Sequence, residues 1–304
     1  GDADDARGAA PHVAPGEAVA EPKPHRPDTA PEPAPVADAG RTPMSTLRFS
    51  EGPAVPARTD APEAAWSLLR TVSPDARHME RHHLISASRE DPSHTAFEVL
   101  RTRLLQALSE NGWRRVAITS PTKNCGKSFV AANLALSLSR ASKTRTVLMD
   151  MDLRNPSLAR ALGIASPGPI AEMLCGRRRP EDHLVRFGEN ALQIGQTLAL
   201  ALNDRAERDA SELLQRPETD RTLGRIDALL RPDVVLHDLP PALYHDDVLA
   251  FRGHYDGVLL VAGGGLTRAE EVSEVARRLG DHTPLLGVVL NRAVRWHAEH
   301  RVFQ

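Results

Sequence analysis

Residues 113–139 read WRRVAITSPTKNCGKSFVAANLALSLS, and the order of the parts decides the fold. An apolar run, Val116, Ala117 and Ile118, leads into a polar turn, then Gly126-Lys127-Ser128, then apolar residues at helical spacing. Strand, loop and helix in that order is the context of a phosphate-binding loop. Such a loop turns its backbone N–H groups and the free end of the helix towards an anion, and the helix dipole favours the negative charge. In that reading Lys127 reaches the terminal phosphates and the Ser128 hydroxyl completes the shell of a Mg²⁺ ion. The loop departs from the usual pattern at one end, where Pro121 stands in place of a glycine six residues before the lysine. Asn124 and Cys125 also fill places where glycine is more permissive.

Downstream, Val147, Leu148 and Met149 form a buried-strand run that ends at Asp150, with Asp152 two residues on. Carboxylates at the C-terminal end of a parallel strand sit at the rim where such sheets bind ligands. If the strand continues, the spacing points both side chains the same way. The alternative is a solvated strand end whose aspartate caps the short helix at Ser157. A second run, Val234, Val235 and Leu236, ends in Asp238 and is stopped by Pro240 and Pro241. An apolar strand ending in aspartate has the form of a Walker-B element, whose carboxylate holds Mg²⁺ directly or through water. YDGVLLVAGGG predicts another strand, TRAEEVSEVARRLG a helix, and TPLLGVVLNRA a last strand ending at Asn291.

Upstream, Phe97, Leu100, Leu104, Leu105 and Leu108 recur at helical spacing, with Asn111-Gly112 as the stop. Between Gly168 and Leu230 the sequence predicts short helices around one weak strand near 191–194. Strands alternating with helices imply an α/β, doubly wound, mostly parallel sheet covered by helices on both faces. This domain is expected over 91–295, followed by a short tail, 296–304.

Residues 1–62 hold 12 of the 24 prolines amid Ala, Glu and Asp. Such a Pro/Ala-rich arm cannot bury enough apolar surface to offset its ordering entropy, and it is expected to be disordered. Residues 63–90 read as a linker. Within it Trp66, Leu68 and Leu69 form an apolar island, either a docking peptide or a strap on the domain. His78, His82 and His83 cluster without metal-site spacing and read as solvated. A net charge of −2 gives no support for a nucleic-acid partner. Two cysteines fit a reducing compartment. Cys125, at a helix N-terminus, is either a redox-sensitive thiol that blocks the phosphate site or a small loop residue.

VLMDMDLRNPSL, then VVLHDLPPA and GVVLNR, behind SPTKNCGKSFVAANLA, resembles the bacterial tyrosine kinases of capsule and exopolysaccharide synthesis. These lie within the deviant phosphate-loop ATPases that include the septum-site and partition proteins. The resemblance covers roughly residues 84–294 and implies ATP and Mg²⁺ as cofactors. It implies that Thr122, Lys123, Asn124, Cys125, Gly126, Lys127, Ser128 and Phe129 line the nucleotide. It places Asn291 against adenine, and Ser128, Asp150 and Asp238 at the metal. Lys127, Asp150, Asp152 and Asp238 become the catalytic set, the second acidic motif helping to deprotonate an incoming tyrosine. Lys123 lies one place from the extra lysine of the partition proteins, a role not transferred to it.

The family's ring-forming helix carries Glu, Arg and Arg where this chain has Thr95, Glu98 and Arg101, so the resemblance implies homo-oligomers only with a degraded ring motif. The kinases' tyrosine-rich tail has no counterpart after Tyr255, and Tyr244 and Tyr255 read as structural. The resemblance implies a membrane-embedded polysaccharide chain-length or export protein as partner, a protein tyrosine as substrate, and a cytoplasmic place at the inner membrane through that partner. Two other functions compete with kinase activity: a nucleotide-dependent switch docking on the export machinery, and a partition-type ATPase acting with DNA or membrane.

Overall fold

A computed structural model describes residues 62–84, 92–140, 144–281 and 283–293. The expected arm and the tail 296–304 lie outside the described residues, apart from Pro62. Eight strands form one sheet: β1 (Arg70–Val72), β2 (Arg115–Thr119), β3 (Thr146–Asp150), β4 (Val185–Phe187), β5 (Leu198–Ala201), β6 (Val234–Asp238), β7 (Gly257–Gly263) and β8 (Leu285–Asn291). Their spatial order is β1-β4-β5-β3-β6-β2-β7-β8. Every ladder is parallel except that between β4 and β5. The doubly wound, mostly parallel α/β sheet is the one the alternating pattern predicts.

The central strands are apolar throughout because both faces are covered. On one face Ile118, Leu148 and Leu236 pack with Leu134 and Leu138 of the helix Lys127–Arg140. On the other, Ala117, Met149 and Leu260 meet Ile226 of Pro217–Leu230 and Val275 of Ala269–Leu279. Lys127–Arg140 is buried along almost its whole length, as its all-round apolar pattern requires. It lies between the sheet and the helix Pro92–Asn111, which stops where Gly112 takes φ +66°.

Two expectations change. The weak strand near 191–194 is a turn, with Gln193 at φ +53°; the strands of that region are β4 and β5 on either side. Leu192 and Ile194 are apolar enough to suggest a strand, but Asn190 pins the turn, its Nδ2 donating to the carbonyls of Gly188 and Ile194 at 2.8 Å each. The stretch 63–90, expected as a linker, contributes the helix Pro62–Leu68 and the edge strand β1, parallel to β4.

The apolar island is therefore a strap. Trp66 and Leu69 are buried while Leu68 is exposed, and the Trp66 indole N–H donates to the Leu230 carbonyl at 2.8 Å. Trp66→Phe keeps most of the packing but leaves that buried carbonyl without its donor. The expected cost is about 1–2 kcal/mol, read from the urea midpoint; an unchanged midpoint refutes it. His82 and His83 are exposed as expected. His78 is not free: its Nε2 lies 2.9 Å from the Arg160 carbonyl and its ring stacks on His82.

Candidate functional site

The strand order makes the site. β2 lies between β6 and β7, with β3 beyond β6, so β2, β6 and β3 end side by side. The register pairs Ile118 with Asp238 and Asp238 with Asp150. Two carboxylates thus stand next to each other at the edge from which the loop after β2 departs.

That loop is held by its own atoms. Ser120 Oγ donates to the Thr122 carbonyl at 2.7 Å, and Asn124 and Gly126 adopt φ +65° and +88°. A side chain on Gly126 has no room: a Cβ there falls 2.1 Å from Asn291 Nδ2. The same Nδ2 donates to the Cys125 carbonyl at 2.9 Å. Asn291, which the resemblance places at adenine, is seen here to brace the loop from β8. Phe129 turns its ring away, edge-on to Phe97 at 5.8 Å; only its backbone remains available to a phosphate.

Lys127 begins the helix and is buried, its ammonium 2.7 Å from Asp152 Oδ2 and 3.3 Å from Asp238 Oδ1. It also donates to Ser128 Oγ at 3.2 Å. Burial works against the charged ammonium, but Asp238 and Asp152 outweigh it and raise the lysine above its ordinary range.

The aspartates divide their work differently from the sequence expectation. β3 ends at Asp150; the chain then turns, and the Met151 N–H donates to the Asp238 carbonyl at 2.9 Å. The strand does not continue to Asp152, so the alternation argument fails there. Asp152 reaches Lys127 from the turn, and its Oδ1 accepts the Asn155 N–H at 3.0 Å. Asp150 does cap the short helix, its Oδ2 accepting from the N–H groups of Ser157 and Leu158 at 3.1 and 3.0 Å. It is buried rather than solvated.

Oδ1 of Asp150 and Oδ2 of Asp238 are buried and accept no hydrogen bond from a described residue. Burial pushes the Asp150 carboxyl well above the usual range, and repulsion from Asp238 adds to it. Burial raises Asp238 as well, opposed by Lys127 and the Ser128 hydroxyl. Three carboxylates around one ammonium leave an excess of negative charge, and two buried carboxylate oxygens have no partner among the described residues. These residues fit Mg²⁺, which takes one or two carboxylates plus phosphate oxygens and water rather than a full protein cage. Among the described residues no group of three His, Cys, Asp or Glu side chains forms such a cage.

Cys125 is enclosed. Its Sγ donates to the Thr122 carbonyl at 3.2 Å and lies 3.4 Å from Thr267 Oγ1. Burial raises the thiol, but hydrogen bonds from Thr267 and Thr122 outweigh it and hold it below the usual value. Reactive thiols need access as well as acidity, and Cys125 is 1% exposed; the geometry favours a loop-forming residue.

One member of the site went unassigned in the sequence. Arg154 grips the buried Asp247 with two hydrogen bonds, Nε to Oδ2 at 2.6 Å and Nη2 to Oδ1 at 3.0 Å. Ser211 joins the same carboxylate. This fork ties the turn carrying Asp152 to the start of the short helix Asp247–Ala250. Its signal is the arginine of DMDLR, but its partner lies 93 residues away. Lysine cannot reproduce the fork, so Arg154→Lys is expected to cost about 1–2 kcal/mol, measured by denaturant unfolding. Full retention of stability shows the fork to be dispensable.

A family model, the CobQ/CobB/MinD/ParA nucleotide binding domain, matches residues 116–303. The putative tyrosine-protein kinase EpsB of Ralstonia nicotianae is 30% identical over 203 residues, 66% of this chain and 26% of EpsB. The chain thus spans about a quarter of that relative's length. Tyrosine-protein kinase YwqD of Bacillus subtilis is 25% identical over 73% of this chain and 91% of its own. The solved kinase domain of Escherichia coli tyrosine kinase ETK superposes with a TM-score of 0.60 at 25% identity, over 75% of this chain and 86% of that domain.

Proposed function

Because this chain belongs to the CobQ/CobB/MinD/ParA nucleotide-binding family and, within it, to the bacterial tyrosine kinases, we propose that it binds Mg·ATP and transfers the γ-phosphate to a protein tyrosine. The observation that carries this reading is Lys127 held between Asp152 and Asp238 at the foot of the loop, beside the unspent oxygens of Asp150 and Asp238.

In this reading the backbone of Thr122–Ser128 wraps the phosphates, and Lys127 neutralises the charge that builds on them. Ser128, Asp150 and Asp238 hold the metal, with Asp150 kept in place by the two N–H groups it caps. A Mg²⁺ ion held there would supply positive charge to offset that of the phosphates. Asp152 sets the position of Lys127 and receives the proton of the attacking phenol. Asn291 braces the loop through the Cys125 carbonyl and, by resemblance, lies at the adenine. Phosphoryl transfer asks little more of a protein than such positioning and charge stabilisation.

By resemblance to the same kinases, the process served is exopolysaccharide or capsule synthesis and export, alongside a membrane-embedded chain-length protein. No helix among the described residues is long and apolar enough to cross a membrane. A second reading, an ATP-dependent switch without phosphotransfer, is favoured by the scarcity of tyrosine: the sequence has two.

The test is incubation with Mg·ATP and a Glu/Tyr copolymer, followed by phosphotyrosine detection. Product formed by the wild type and lost in Lys127→Ala supports the kinase. Tight ATP binding with no transfer to the copolymer or to a partner's cytoplasmic segment moves the function to the switch.

A further inference from the structure

The face of the sheet turned away from the helix Lys127–Arg140 carries a cavity that the nucleotide site does not use. Successive strand residues point to opposite faces, so His237 of β6 points away from Asp238. Its register neighbours Ala117 and Met149 belong to the core that packs under the helix Pro217–Leu230. Between that helix and the sheet is a space of about 200 Å³, and His237 lines it. At about 30 Å³ per water the space holds roughly six waters, which is room for one sugar ring and too little for a nucleotide.

His237 is 2% exposed, and neither ring nitrogen has a hydrogen-bond partner among the described residues. A buried polar group left unpaired is costly. Phe251 packs edge-on against the ring, with centroids 4.9 Å apart. Burial keeps the imidazole neutral, its pKa lowered to about 3. A neutral imidazole offers one N–H donor and one acceptor, and its χ2 torsion is soft enough to turn either nitrogen to a ligand.

The charges around the cavity are already matched. Arg115 Nη2 lies 3.0 Å from Asp227 Oδ2, and His254 Nε2 lies 3.0 Å from Asp220 Oδ1 at the exposed mouth. An ion entering here sheds its water without meeting an unmatched opposite charge. Among the described residues no three His, Cys, Asp or Glu side chains gather to hold a metal ion. Met149 and Ile226 give the cavity an apolar wall. A hydroxyl both donates and accepts through one oxygen, which suits the imidazole and the carboxylates alike.

We propose that this cavity is a second binding site, for a small uncharged polyhydroxy molecule, a monosaccharide or a polyol, with His237 as its central hydrogen-bonding residue. The carbon-bound hydrogens of the ligand lie against Met149 and Ile226, one hydroxyl bonds to His237, and others reach Asp220 and Asp227. An imidazole that is costly while unpaired is matched in the complex. The site shares no residue with the phosphate loop and does not rest on the kinase reading.

The experiment titrates the ¹⁵N-labelled full chain, without nucleotide, with D-glucose, myo-inositol and glycerol, and separately with inorganic phosphate and ethanolamine. Backbone amide shifts and the His237 ring nitrogens are followed by NMR. His237→Leu removes both nitrogens, His237→Gln restores a donor and an acceptor, and Asp220→Ala alters the exposed mouth. The expected result is saturable binding of at least one polyhydroxy probe, with shifts centred on His237 and residues 220–227. Affinity is expected to fall about tenfold or more in His237→Leu, the scale of one lost buried hydrogen bond, to recover in His237→Gln, and to weaken in Asp220→Ala. No saturable binding of any of the three probes overturns the proposal, as does equal affinity in His237→Leu. Tighter binding of phosphate or ethanolamine makes this an ion site and overturns the ligand class. If His237→Leu does not fold, Asp220→Ala decides, and unchanged affinity there overturns the proposal.

Discussion

Lys127→Met is expected to lower tyrosine phosphotransfer roughly 10³-fold, the scale of losing one preorganised charge from a water-poor site. The ammonium is buried and touches two carboxylates and the Ser128 hydroxyl, so no other described cation meets these carboxylates. The substitution also exposes the electrostatics of the pocket. Without the lysine, Asp152 and Asp238 are buried with no counter-charge, and breaking a buried pair in this way costs about 3–5 kcal/mol when the orphaned charge persists. Part of that cost is relieved by proton uptake, because the pocket already favours protonated carboxyls at Asp150 and Asp238. The variant is therefore expected to be least stable at the alkaline end and to recover towards acid. Single-turnover transfer and denaturant unfolding at several pH values check both parts; near-normal transfer refutes the role of Lys127.

A second large effect concerns stability against pH and Mg²⁺ in the wild type. Asp150 and Asp238 have folded-state pKa values raised above the ordinary 3.8. Each then contributes stability that is present below the unfolded value and lost as pH rises through the higher folded one. These two groups weaken the metal-free protein over the window above about pH 4. A divalent cation bound to their unspent oxygens reverses the sign, since it binds the folded state only. At a concentration 100 times its Kd it adds about 2.7 kcal/mol.

The Asp150→Asn variant isolates the effect. Its amide oxygen still accepts the Ser157 and Leu158 N–H groups, but the charge is gone. Compared with the wild type, it is expected to be more stable at neutral pH without Mg²⁺ and to gain little when Mg²⁺ is added. Thermal unfolding of both proteins at pH 5 and pH 8, with and without Mg²⁺, gives the answer. If Mg²⁺ leaves the wild-type Tm unmoved at pH 8, with or without ATP, the metal assignment is wrong.

The local devices were legible because each is written in contiguous residues. The strand–loop–helix at 115–140 announces itself by an apolar run, a Gly-Lys-Ser turn and a helical repeat. The strands ending in Asp150 and Asp238 are apolar on both faces because a parallel sheet is covered twice. Their alternation with helices is enough for the fold class, and that reading holds through β8.

What the sequence could not supply is whatever depends on strands that are distant in the chain. The spatial order puts β6 between β2 and β3, and only that order makes Asp238 a neighbour of Asp150 and a partner of Lys127. The break of β3 after Asp150 is likewise tertiary: Met151 finds a carbonyl on β6, and Asp152 reaches the lysine from a turn rather than by strand alternation. Trp66 reads as part of an apolar island, docking peptide or strap, until Leu230 offers its carbonyl, and Arg154 has no assigned role until Asp247 meets it.

The tyrosines follow the same division. Their number is a property of the sequence. That the Tyr244 ring lies beside Lys123 is settled by backbone bonds between two loops more than a hundred residues apart, while Tyr255 is closed in by the packed core. Patterns of apolar residues encode which elements form, because burial acts on each segment's own periodicity. The chemistry needs atoms from several segments within hydrogen-bond reach, and only the packed sheet brings them together.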